Sequence, residues 1–309
     1  MKIYSASYNF HTEFHWGISS AENLNTASID YPFLFALREK HIDSITIPIH
    51  WSEYEPLKNQ YDEKKIESIR VVLSRIQDQN ISPIIILNIG DIPLWQNLEN
   101  TGKADHFSAE RYNFATHIIN ALIPYCHFFC LSFSSAAIKS NKLFKSELIT
   151  HEEIHDYTNA ISESCMVGTL IPSAAFKHKT SGVRRLFGQP SLSELSNMKT
   201  DFFGIKADKA FFVELQQLFG NEKKKLLIIS DELRASNDLY RADTLIDKIY
   251  ETWQLYQKGW PILGYCSEVD ILSSSPESDL YALFSEQNSL KISTQTPFLS
   301  EKWTRFLKD

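Results

Sequence analysis

His50, Asp91, Lys206, Asp208, Asp231, Glu268 and Asp270 all fall at or just past the ends of apolar runs in the chain. Thr46 lies within one of these runs, Asn88 follows another, and Glu232 follows Asp231. These residue types bind polar ligands and move protons. Carboxylates crowded at one site would raise one another's pKa values, and Lys206 would oppose that. Several such oxygens could also hold Mg²⁺ or Ca²⁺. The plainer reading is a polar rim of loops.

The run Cys130-Leu131-Ser132-Phe133-Ser134-Ser135-Ala136 follows the apolar stretch His127-Phe128-Phe129 and reads as the end of a buried strand. Ser134 and Ser135 stand where a strand end would present its chemistry. A serine hydroxyl does not shuttle a proton near neutral pH without a base beside it. A second motif, His151-Glu152-Glu153-Ile154-His155, fits H-E-x-x-H, which on a helix sets two imidazoles on one face. Thr150 and Glu153 also fit a capping box, so the spacing predicts the first turn of a helix there. No third ligand is suggested by spacing, and neither a metal nor a cofactor is expected.

The elements that must position these residues alternate along the chain. Trp16–Ser19, Ser44–Ile49, Pro83–Leu87, Phe128–Phe133, Met166–Ile171, Phe202–Ile205, Leu226–Ile229 and Ile262–Tyr265 read as eight strands. Between them lie helical stretches, Glu63–Gln79, Ala109–Leu122 and Asp243–Gln257. The first carries Ile66, Ile69, Val72, Leu73 and Ile76 on one face. Eight strands alternating with helices predict an α/β fold, a single (β/α)8 TIM barrel spanning residues 1–309 as one domain.

Composition narrows the function. The 309 residues carry a net charge of −7 without a clustered basic stripe, which argues against a nucleic-acid partner. No apolar run reaches the roughly 20 residues that span a bilayer, and the N-terminus lacks the apolar core of a signal peptide. The expectation is a cytoplasmic protein with no membrane partner. Its four cysteines, Cys126, Cys130, Cys165 and Cys266, read as buried free thiols.

Six segments in order resemble family 1 glycoside hydrolases, the β-glucosidase family. Phe14-His15-Trp16-Gly17-Ile18-Ser19-Ser20-Ala21 is similar to the family's F-x-W-G-x-A-T-A, and Trp51-Ser52-Glu53-Tyr54-Glu55-Pro56 to W-S-R-I-x-P. Asp91-Ile92-Pro93-Leu94-Trp95 matches D-L-P-x-W, and Thr200-Asp201-Phe202-Phe203-Gly204-Ile205 resembles D-F-x-G-I-N. Gly259-Trp260-Pro261-Ile262-Leu263-Gly264-Tyr265 resembles G-V-P-V-x-G-Y, and Thr296-Pro297 with Trp303 sits where the family's last helix begins. Trp51, Trp95 and Trp303 fall on framework positions, so core packing is their expected role.

The resemblance also implies what has been lost. The fourth-strand segment corresponds to W-x-T-x-N-E-P, in which the Asn holds the sugar 2-hydroxyl and the Glu is the acid/base. Ser134 takes the Asn position here and Ser135 the Glu position. Leu24, Thr46, the pair Ile89-Gly90, the run Lys206-Ala207-Asp208, Glu268 and the pair Ser275-Pro276 replace other sugar-contacting residues of the family. In Leu227-Ile228-Ile229-Ser230-Asp231-Glu232-Leu233, Asp231 takes the nucleophile position, or Glu232 does if the strand bulges by one residue. The expected function is a pseudo-glycosidase that binds a glycan or a protein partner. The alternative is a weak or repurposed glycosidase using Asp231 or Glu232.

Overall fold

The computed structural model describes residues 14–20, 29–39, 41–99, 108–134, 137, 140–171, 192–207, 215, 219, 222–230 and 238–269. Eight strands close into a parallel barrel in sequence order: β1 (His15–Ser20), β2 (Ser44–His50), β3 (Ser82–Asn88), β4 (Phe128–Ser132), β5 (Met166–Ile171), β6 (Phe202–Ala207), β7 (Leu226–Ser230) and β8 (Ile262–Val269). The described helices are α1 (Tyr31–Glu39), α2 (Trp51–Tyr54), α3 (Glu63–Asp78), α4 (Leu94–Glu99), α5 (Ser108–Leu122), α6 (Asn141–Ile161), α7 (Leu192–Ser196) and α8 (Asp238–Gln257). The expected single (β/α)8 TIM barrel is the fold found.

Every strand is buried on both faces, which is why its residues read as nearly continuous apolar runs. Alternation divides them between two cores. Ile84, Ile86, Cys130, Leu170, Phe202, Leu227, Ile229 and Cys266 fill the lumen. Ile45, Ile47, Ile49, Ile85, Leu87, Phe129 and Leu131 face outward into the larger core under the helices. Phe202 owes its lumen seat to Gly168 on the neighbouring strand, because a Cβ there would lie 2.3 Å from the Phe202 ring.

The helices cover this outer core. On α3, Ile66, Ile69, Val72, Leu73 and Ile76 are all buried, and the Asp62 side chain caps the helix by accepting from the Lys65 N–H at 3.1 Å. On α6 the structure corrects the sequence expectation. The helix begins at Asn141, capped by Ser140, which accepts from the Leu143 N–H at 3.4 Å. Thr150 lies in its third turn and donates back to the Ser146 carbonyl at 3.1 Å. The T-x-x-E pattern resembles a start but sits mid-helix, where threonine hydroxyls bond the preceding turn.

Trp51, Trp95 and Trp260 are buried, as framework residues should be. Trp51 donates its indole N–H to Glu55 Oε2 at 2.6 Å, and Trp95 donates to the Glu55 carbonyl at 2.9 Å. Trp303 lies outside the described residues.

Candidate functional site

In a barrel of this kind the strand C-termini carry the site. Two polar arrangements stand there among the described residues, one at the ends of β2 and β3 and the other past the end of β4.

His50 and Asn88 are the last residues of β2 and β3 and pair directly across the two strands. Ile45, Ile47 and Ile49 face the outer core, so the alternation puts Thr46 and His50 on the lumen side. The same logic on β3, where Ile84 and Ile86 fill the lumen, puts Asn88 there. His50 Nδ1–H donates to Asp91 Oδ2 at 3.2 Å, and Ser52 donates its hydroxyl to the same oxygen at 2.6 Å. Asn88 Nδ2 lies 3.4 Å from His50 Nε2. Backbone bonds tie the two exits together, Ser52 N–H to the Asp91 carbonyl at 3.1 Å and Asp91 N–H to the Asn88 carbonyl at 3.2 Å.

Ser134 faces inward to a buried ion pair. Its N–H donates to Glu147 Oε2 at 2.8 Å and its hydroxyl to Glu147 Oε1 at 2.5 Å. The same Oγ accepts from the Ala137 N–H at 3.0 Å. Arg111 of α5 holds Glu147 Oε1 at 2.9 Å, and its Nε donates to the Ile89 carbonyl at 3.3 Å. Glu147 is 0% exposed and Arg111 3%. Burial pulls the guanidinium pKa down while the Glu147 carboxylate pulls it up. Gly90 makes room for this corner, since a Cβ there would lie 2.3 Å from Ser134 Cα. Both oxygens of Glu147 accept hydrogen bonds from Ser134, and Oε1 also meets Arg111.

Sequence reasoning missed this pair because it followed strand motifs. The signal lay on the helices. Arg111 shares a stripe with Phe114, Ala115, Ile118 and Leu122, and Glu147 shares one with Phe144 and Ile154. A charge of each sign on two apolar faces announces a buried partnership.

The remaining candidates separate. Thr46 is buried, and its hydroxyl donates to Ser19 on β1 at 2.6 Å. Lys206 is half-buried at the end of β6. Glu268 lies in β8, its backbone paired with Ser19 of β1. Ser135, Asp208, Asp231, Glu232, Asp270, Leu24 and the Ser275-Pro276 pair lie outside the described residues.

The two imidazoles of the H-E-x-x-H run have different jobs. His151 is buried under the Phe133 ring, 4.4 Å between centroids, with Nδ1 3.3 Å from the Thr169 hydroxyl. Burial, with the Arg111 cation behind it, pushes its pKa down to about 3. His155 instead meets Asp201 Oδ1 at 3.2 Å and Asp156 Oδ1 at 3.3 Å, and its pKa is raised chiefly by the Asp201 hydrogen bond. Among the described residues no group of three His, Cys, Asp or Glu side chains could hold a metal ion. All four cysteines are buried and free, as expected.

No protein-family model and no curated protein matches the chain by sequence. Solved structures do match in fold. The chain is similar to beta-glycosidase BGL167, with a TM-score of 0.66 and 12% identity over 84% of this chain and 87% of that one. It is similar to a family 1 β-glucosidase from Thermotoga maritima, with a TM-score of 0.64 and 11% identity over 85% and 89% of the two chains. A β-glycosidase from Pyrococcus horikoshii matches with a TM-score of 0.62 and 12% identity over 85% and 86%. The barrel thus has the fold of these solved β-glycosidases, at 11–12% identity.

Proposed function

We propose that this protein is a pseudo-glycosidase, a family 1-type barrel that binds a sugar at the strand C-termini without hydrolysing glycosides. The observation that carries the reading is the state of the fourth-strand exit. Ser134, at the position where the family's Asn holds the sugar, commits its one proton to the buried Glu147. The next residue in the sequence is Ser135, where the family has its acid. Retaining hydrolysis requires two carboxyl groups about 5–5.5 Å apart, one attacking while the other protonates the leaving oxygen. With the second absent, the rate falls by roughly 100- to 10,000-fold.

A polar mouth survives nonetheless, and it favours a hydroxylated ligand over an apolar one. The reading takes the protein as cytoplasmic, with a glycan or a protein as its partner rather than nucleic acid or a membrane. No described helix is long and apolar enough to cross a bilayer.

The competing reading is a weak or repurposed glycosidase. It draws support from β7, whose Leu227 and Ile229 fill the lumen. Asp231 has their parity in the sequence and Glu232 does not. That favours Asp231 as the nucleophile position.

Thermal unfolding in the presence of glucose, galactose and their 6-phosphates tests the proposal. A rise in Tm with one of them is expected. No shift with any sugar would overturn sugar binding and leave the protein-partner form of the reading.

A further inference from the structure

We propose that His50, Asn88 and Asp91 form a platform for a sugar hydroxyl at the exits of β2 and β3. The inference rests on the reading that the mouth takes a sugar, and it names which wall does so. This wall lies on strands two and three, beside the fourth-strand corner that Glu147 occupies.

Asp91 decides the tautomer of His50. A carboxylate accepts only, so Nδ1 keeps its proton facing Oδ2 and Nε2 of the neutral ring is left as a lone pair. Among the described residues, the group against that lone pair is Asn88 Nδ2 at 3.4 Å, beyond the roughly 2.7–3.2 Å of a good N–H donor contact. A donor and an acceptor therefore stand side by side, each poorly satisfied by the other. A hydroxyl is the group that serves both. It donates to His50 Nε2 and accepts from Asn88 Nδ2, exchanging one long contact for two short ones. A carboxylate or phosphate would find a lone pair facing it, and an ammonium would find the amide N–H.

The platform is also built in advance. Ser52 fixes Asp91 through both its backbone and its side chain, Asp91 fixes the ring, and the strand pairing fixes Asn88. Little ordering remains to be done when a ligand arrives. The His50 side chain is 27% exposed and that of Asp91 47%, so the ring can be approached while its partner holds it. Asp91 is the charged group that contacts His50 among the described residues. Glu53, on the adjoining α2, turns instead toward Lys65, 3.9 Å away.

Calorimetric titration of the full chain with glucose, galactose and their methyl β-glycosides tests this. The comparison is between wild type, His50→Ala and Asn88→Asp, each first checked for a cooperative melt without ligand. The expected result is affinity about tenfold weaker in both variants than in wild type, the worth of roughly one hydrogen bond. Asn88→Asp carries the test alone if His50→Ala fails to fold. Sugar binding untouched by the variants would overturn the platform while leaving the sugar reading intact. No sugar binding at all would take down both.

Discussion

Ser134 donates its hydroxyl to Glu147 Oε1 at 2.5 Å, and Glu147 is wholly buried against Arg111. This contact joins the end of β4 to the middle of α6 and, through Arg111 and the Ile89 carbonyl, to the end of β3. Ser134 thus serves as a structural joint between β4 and α6.

The joint should be sensitive to loss of one partner. Glu147→Ala strands the Arg111 cation in the interior, and breaking a buried pair this way costs about 3–5 kcal/mol. Replacing both, Arg111→Met with Glu147→Leu, should recover most of that loss, because no charge is left unpaired. Urea unfolding of wild type, single and double variants measures it. A single variant as stable as wild type would contradict the joint.

Gly90→Ala should destabilise by about 1–3 kcal/mol, because the new Cβ would press on backbone rather than on a movable side chain. The contacts it would make are Ser134 Cα at 2.3 Å and Ser134 N at 2.5 Å. A drop in Tm is the readout.

His151 and His155 should give the stability curve opposite slopes. The His151 imidazole takes up a proton near 6.5 when unfolded but only at about 3 when folded. The unfolded chain therefore binds more protons between those values, and stability falls as the pH drops through them. His155 is raised, chiefly by Asp201, so its contribution is full below the unfolded value and is lost as pH rises through the folded one. Asp201 is pushed up by burial and down, on balance, by His155 and the Val167 N–H, so its contribution is lost only in stronger acid. Urea midpoints across pH should show His151→Leu flattening the acid side and His155→Gln flattening the alkaline side.

Ser135→Glu should restore measurable hydrolysis of an activated aryl β-glycoside if Asp231 serves as nucleophile. The double variant with Asp231→Glu should restore more, since a methylene's misplacement of about 1 Å costs on the order of 100-fold. Silence in both would mean that the loss extends beyond the two carboxylates.

The barrel was legible because parallel strands under helices need long apolar runs, and Ile84 to Leu87 or Leu226 to Ile229 can hardly be anything else. Several strand ends were read short, while β5 was read to its end and β4 one residue too long. β2 continues to His50, β3 to Asn88 and β8 to Val269. Polar residues at a strand end look like loop, yet at the mouth they remain paired and face the lumen. The mid-helix position of Thr150 was hidden for a related reason, since the capping signal is short and local while the real cap, Ser140, lies ten residues upstream. His50, Asn88 and Asp91 were legible as separate candidates. That they share one hydrogen-bonded cluster depends on register, which no spacing within a single strand encodes. Arg111 and Glu147 went unread because each lies on a helix, 36 residues apart by number, and only tertiary packing joins them.

The central claim is the absence of retaining hydrolysis, and turnover of aryl β-glucoside, β-galactoside and their 6-phospho forms by the purified protein tests it most directly. Asp231→Ala and Glu232→Ala serve as controls. The expected result is turnover no greater in wild type than in either variant. Turnover in wild type that one of these substitutions abolishes would contradict the account and show that a nucleophile still works.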